Sequence, residues 1–236
     1  KNGKKFGRKL NIVVIGVEKR KMKKNNSKTL RLILGDQLNY NHSWFETVDD
    51  SITYVMMEIR TETDYATHHI QKIVGFFAAM RQFANELLVK KHHVIYLKLT
   101  DNTNLQSFEK NIERIINSEN FERFEYQLPD EYRVDLILKN FSARLLISNA
   151  VVDTEHFFST RNELADFFEG KKSFLMESFY RAMRKKHHIL MEGNNPITGQ
   201  WNYDDDNRKK LPKNHKPTPP LVFNSDVTDI VNEIAQ

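Results

Sequence analysis

The chain has 236 residues, 39% of them hydrophobic and 11% aromatic, and no cysteine, which excludes disulfides, thiolate-held zinc and an iron–sulfur cluster in this segment and suits a reducing compartment, the cytoplasm. The formal charge of +5 is unevenly placed: eleven of the 36 basic and one of the 31 acidic residues fall in residues 1–28, leaving 25 basic and 30 acidic residues in an acidic body. No apolar run approaches the roughly 20 residues that span a bilayer, which argues against a membrane partner. Residues 11–17 (NIVVIGV) lie between basic flanks like the core of a signal peptide, but the run is short and no small-residue cleavage site follows. Residues 1–27 read as a disordered basic leader, or as a stretch translated ahead of a start at Met22. A nucleic-acid-binding arm is the alternative.

Residues 30–34 (LRLIL) form an apolar run dense enough for a strand buried on both faces. It breaks at Gly35, and Asp36 and Gln37 then place polar side chains just past the strand's carboxyl end, where ligands bind in open α/β sheets. Residues 39–50 read as loop or one helical turn, and residues 52–57 (ITYVMM) as a second strand. The polar connection 58–67 faces the Gly35 loop, and Thr67 is placed to cap the following helix. Over residues 68–90, Ile70, Ile73, Phe77, Met80, Ala84 and Leu87 make one helical stripe. Strands at 92–99 and 121–127 flank a helix at 104–116; Pro129 opens another helix, and residues 144–148 are expected to be the fifth strand. This alternation predicts an α/β fold: a doubly wound, five-stranded parallel sheet over residues 28–150. Helices at 160–168 and 173–189 form a helical extension over 151–190. Pro and Gly mark a linker over 191–225, and residues 226–236, capped by Asp226, open a further helix, as in a chain truncated at the start of a second domain.

A single glycine follows the first strand, so the dinucleotide fingerprint and the P-loop are both missing, and no nucleophilic Ser elbow is present. No catalytic residue is assigned. Glu62, Tyr65 and the pair His68 and His69 follow strand two, where carboxylate oxygens can accept from sugar-type hydroxyls and an aromatic ring can stack; loop polarity and helix capping are the plainer reading. The adjacent His pairs diverge in space and predict no metal site. Residues 202–207 imitate the start of a calcium loop, but Asn207 stands where Gly is needed and Lys213 where Glu is needed. Arg181, Arg184, Lys185 and Lys186 crowd one helix end, either complementing its dipole or contacting a phosphate backbone.

Three stretches together resemble one family. They are Leu34-Gly35-Asp36-Gln37-Leu38; Tyr65-Ala66-Thr67-His68-His69 running on to Phe77-Ala78-Ala79-Met80-Arg81; and Met176-Glu177-Ser178-Phe179-Tyr180-Arg181 with Trp201-Asn202-Tyr203-Asp204 and Asn207-Arg208. This set is similar to the amino-terminal part of the deoxyribodipyrimidine photolyase-related proteins, the iron–sulfur bacterial cryptochromes and photolyases that include prokaryotic (6-4) photolyases. The resemblance implies a Rossmann-like antenna domain that binds a 6,7-dimethyl-8-ribityllumazine-type chromophore. Gly35, Asp36, Gln37 and Leu38 would lie on one side of it, with Glu62, Tyr65 and His69 opposite and Phe76 at the floor. It further implies a helical domain, beyond these residues, holding FAD and an iron–sulfur cluster and splitting UV photoproducts in damaged DNA, (6-4) or cyclobutane, by light-driven electron transfer. Arg181, Arg184 and Lys185 would face the DNA. Tyr132 stands where such proteins often carry Trp. Without flavin this polypeptide is expected to be inactive as a lyase on its own. The alternative is a non-catalytic binding or regulatory module, the relic of a truncated gene.

Overall fold

A computed structural model describes residues 27–222, 226 and 228–234; the basic leader, Ser27 and Lys28 apart, lies outside them. Five strands, β1 (Thr29–Leu32), β2 (Ile52–Met57), β3 (His93–Leu97), β4 (Arg123–Gln127) and β5 (Ser148–Val152), form one sheet in the order β3-β2-β1-β4-β5. Every pairing is parallel. The helices are α1 (Arg60–Thr63), α2 (Ile70–Val89), α3 (Phe108–Glu119), α4 (Tyr132–Ser142), α5 (Glu163–Phe168), α6 (Met176–Lys186), α7 (Asp204–Asn207) and α8 (Thr228–Ile234), with a two-residue hairpin, β6 (Met191–Glu192) and β7 (Asn195–Pro196), after α6. This is the doubly wound α/β fold that the alternating pattern predicts.

Two cores explain why β1 is central. Leu30, Leu32 and Leu34 face α3 and α4, meeting Ile112, Ile115, Val134 and Leu138. Ile33 and the β2 residues Tyr54 and Met56 face α2, meeting Phe77, Met80, Phe83 and Leu87. Burying both faces lets a four-residue strand hold the sheet together, because each face removes a separate apolar layer from water. The one charged residue in β1, Arg31, is tolerated because Glu125 accepts its Nε–H at 2.8 Å and Trp44 lies under its guanidinium at 4.7 Å.

Several boundaries differ from the sequence expectation. His69 caps α2, accepting from the Gln71 N–H at 3.2 Å, where Thr67 is expected to. The fifth strand lies four residues later than expected, at 148–152 rather than 144–148. Leu145 and Ile147 are apolar because they pack against the first core from the connection after α4. The true strand can be polar because it pairs on one side only, as a sheet edge. Asp226 accepts from the Thr228 N–H at 3.3 Å, as its capping role requires. The helix it opens lies back on the α/β body: Ile234 packs against the second core, and Glu233 pairs with Arg81 at 3.0 Å and Lys98 at 2.5 Å. No helix among the described residues is long and apolar enough to cross a membrane.

Candidate functional site

In this strand order the chain turns from one side of the sheet to the other between β1 and β4, and the crevice beyond their carboxyl ends is where such folds take ligands. A cavity of about 270 Å³ opens there, near the lower end of the ~300–1,000 Å³ range of small-molecule sites. Leu34, Met57, Ile59, Met80 and Val134 give it an apolar floor, and Asp36, Glu62, Tyr65, His68, Lys72 and Glu131 rim it.

Gly35 is needed for close approach. A Cβ on it would lie 2.3 Å from Phe76 Cε1 and 2.9 Å from Met80 Sδ, distances no packed side chain tolerates. The aromatic wall of the cavity is therefore seated directly on the β1 turn. Phe76 is 44% and Tyr65 55% exposed, so both rings keep apolar surface open beside the cavity, although Arg133 and His68 lie against part of Tyr65.

Five of the eight residues expected around the ligand line the cavity: Gly35, Asp36, Glu62, Tyr65 and Phe76. The other three do structural work nearby. Gln37 is buried; its side-chain oxygen accepts from the Leu34 N–H at 3.0 Å and its amide donates to the Gln127 and Leu128 carbonyls at 3.2 and 3.3 Å, which ties the end of β1 to the end of β4. Leu38 packs against the core between the sheet and α2. The ring of His69 is taken up in the α2 cap.

The two carboxylates of the expected site differ in kind. Glu62 is already held by Arg133, whose Nη1 and Nη2 donate to it at 3.0 and 2.8 Å. Among the described residues no Lys or Arg pairs with Asp36. Partial burial pushes its carboxyl above the ordinary carboxylate value; a backbone hydrogen bond within the turn opposes the rise, and the neighbouring charge of Asp130 adds to it. Its side chain is exposed and lines the cavity.

A raised acid in the folded state has a definite sign. Between the unfolded and folded pKa the native protein binds more protons, so stability falls as pH rises through that window. Asp36→Asn is therefore expected to raise the melting temperature at pH 7. The gain should vanish below about pH 3, where the carboxyl is largely protonated in both states. Thermal melts of both proteins across that pH range check this; a loss of stability at pH 7 would refute it.

Beneath the rim lies a buried ion pair that sequence reading passes over as loop polarity. Glu58 is 1% exposed. Its carboxylate accepts from Arg81 Nε and Nη2 at 2.6 and 3.0 Å, from the Tyr96 hydroxyl at 2.8 Å and from the Leu99 N–H at 2.8 Å. Its carbonyl accepts from Asn104 Nδ2 at 2.6 Å. Glu58 thereby fixes the start of the segment that carries Glu62 and Tyr65. The available signal is an acid closing an apolar strand while an Arg interrupts the inward stripe of the next helix.

The basic end of α6 corrects one expectation. Arg184 is buried, and its guanidinium donates to the carbonyls of Ile189, Leu190 and Trp201 at 3.1, 2.7 and 2.8 Å. Its donors are committed to folding the chain back over the helix end, so it is not placed to meet a phosphate. Arg181 pairs with Glu177 at 2.8 Å and lies over Trp201, which Lys185 also approaches, at 5.5 Å. Arg181 and Lys185 remain at the surface. Among the described residues no group of three or more His, Asp or Glu is placed to hold a metal ion.

Fold and cavity together define a class: a Rossmann-like domain with a cavity at its topological switch point. Within that class the chain matches the family described as deoxyribodipyrimidine photo-lyase-related protein over residues 31–236, and it belongs to that family. It is 34% identical over 211 residues to a protein named (6-4) photolyase from Agrobacterium fabrum, across 87% of this chain and 42% of that one. The chain thus spans less than half the length of that relative. It is 28% identical over 194 residues to the uncharacterized protein R852 of Acanthamoeba polyphaga mimivirus, across 78% of this chain and 96% of that one.

Proposed function

We propose that the α/β domain binds a flat, hydroxyl-tailed chromophore of the 6,7-dimethyl-8-ribityllumazine type and serves as the antenna part of a photolyase-related protein. The observation that carries this reading is the pair of part-exposed rings, Tyr65 and Phe76, walling an apolar-floored cavity beside the carboxylate of Asp36. A planar heterocycle would gain dispersion and burial against those rings. Its hydroxyls would donate to Asp36 and to Glu131 at the rim. Such a chromophore supplies light absorption, while the residues hold and orient it. In the family context the partner cofactors are FAD and an iron–sulfur cluster held outside this segment, and the substrate is UV-damaged DNA, (6-4) or cyclobutane, in the cytoplasm. Arg181 and Lys185, two exposed cations on α6, are the residues here that fit a phosphate backbone.

The test is titration of the purified protein with 6,7-dimethyl-8-ribityllumazine, followed by its absorption and fluorescence. Saturable binding is expected, weakened at least tenfold, or about 1.4 kcal/mol, by Asp36→Ala or Tyr65→Ala. If Asp36→Ala and Glu62→Ala both bind as the unaltered protein does, the dye does not occupy this cavity. One observation favours a second reading, a binding or regulatory module without lyase activity: the match takes in 96% of the uncharacterized mimivirus protein R852. Light-dependent repair of (6-4) or cyclobutane lesions by the full-length protein separates the two.

A further inference from the structure

The rim of the cavity is bridged by a residue to which neither the motif pattern nor the family match gives a role. Arg133, in the first turn of α4, reaches across to the turn after β2 and donates through Nη1 and Nη2 to Glu62 at 3.0 and 2.8 Å. The same guanidinium donates back to Glu131 through Nε at 2.8 Å and Nη2 at 3.1 Å. Its Cζ lies 4.6 Å from the centre of the Tyr65 ring. One planar cation thus joins two elements 71 residues apart in the chain and backs the ring that walls the cavity. Glu62 and Tyr65 line the site from one segment and Glu131 from another, so the bridge ties two of its walls together.

We infer that Arg133 is a positioning residue, a clasp that ties two walls of the cavity together and holds Tyr65 against what is bound there. The proposal rests on the chromophore reading and deepens it by naming what controls release. The chemistry needs an arginine. Only a planar fork can pair two carboxylates and stack on a ring at once, whereas a lysine offers a single strongly hydrated point charge. The groups stand at the surface, so the clasp can open without unfolding the domain, as a release gate must.

The experiment measures dissociation of 6,7-dimethyl-8-ribityllumazine by stopped-flow and, without dye, amide hydrogen exchange over residues 60–69. Arg133→Met is expected to speed dissociation at least tenfold and to raise exchange in that segment, with the melting temperature little changed. Arg133→Lys should release dye nearly as fast as Arg133→Met, and Glu62→Gln should reproduce the exchange effect should Arg133→Met fold poorly. If the unaltered protein binds dye and Arg133→Met releases it within twofold of the same rate, the clasp is refuted. If Arg133→Lys restores slow release, a charge alone suffices and the planar bridge is refuted. If the unaltered protein does not bind the dye, the chromophore reading fails; unchanged exchange in Arg133→Met then refutes the clasp as well.

Discussion

Arg81→Met is expected to destabilise the domain by about 3–5 kcal/mol, the usual cost of removing one partner from a buried ion pair. Glu58 would be left at 1% exposure with a full charge and only the Tyr96 hydroxyl and the Leu99 N–H as donors. Two hydrogen bonds do not replace water around a carboxylate. Burial alone would weaken the charge on Arg81, but the hydrogen bonds and charge of Glu58, reinforced by Glu233, outweigh it and raise its pKa. The contribution of Glu233 is chiefly its field, since Arg81 Nη1 lies 3.0 Å from it without an aligned hydrogen bond. Losing the α8 contact should therefore cost much less than losing Glu58. Replacing both members of the pair, as Arg81→Met with Glu58→Met, should recover most of the loss, because no unpaired charge then stays buried. Urea unfolding of the two single variants and the double variant decides this. A single-variant loss below about 1 kcal/mol would mean that the site opens to water and the pair is not structural.

That pair also marks the limit of what the residues alone disclose. The sheet was legible because its signals are local: an apolar run such as residues 52–57 has one stable use, and β2 occupies those six positions. The stripe on α2 is equally local, a period that one face of a helix must satisfy. Where two local readings compete, only the fold chooses. Residues 145–147 are apolar enough for a strand, yet Leu145 and Ile147 pack on the core from the connection while the more polar residues 148–152 pair with β4. The site follows the same division. Gly35, Asp36, Glu62, Tyr65 and Phe76 meet at one cavity because strand ends converge, which topology predicts. Which carboxylate is already satisfied is a matter of contacts 71 residues apart, and no periodicity reports that Arg133 takes up Glu62 while Asp36 stays unpaired. Arg184 teaches the same lesson in reverse: in sequence it is one of a run of surface cations, and in the fold it is an internal staple.

Gly35→Ala should impair binding far more than folding, and this separation makes it the sharpest test of where the ligand sits. The added Cβ would lie 2.3 Å from Phe76 Cε1, so one of them must move. The turn is held in place by Gln37 and cannot move cheaply. Phe76 can, since it is 44% exposed and one edge of its ring is free to swing over the cavity. Overpacking in a closed core costs about 1–3 kcal/mol; with this outlet the cost should fall near about 1 kcal/mol. The displaced ring would occupy space the chromophore needs, and affinity for the lumazine should drop at least tenfold. Gly75→Ala, one residue from Phe76 in the interior of α2, is the matched control. No atom lies within 4 Å of its added Cβ, so it should stabilise by about 0.5–1 kcal/mol through helix propensity alone and leave binding intact. The cause can be isolated with a cycle. In a Phe76→Ala background only the 2.9 Å approach to Met80 Sδ remains, which that side chain can relieve into the space left by the ring, and Gly35→Ala should then cost less than threefold in affinity. An undiminished tenfold loss there would show that the alanine acts on the turn itself, and the placement of the ligand against Phe76 would be wrong.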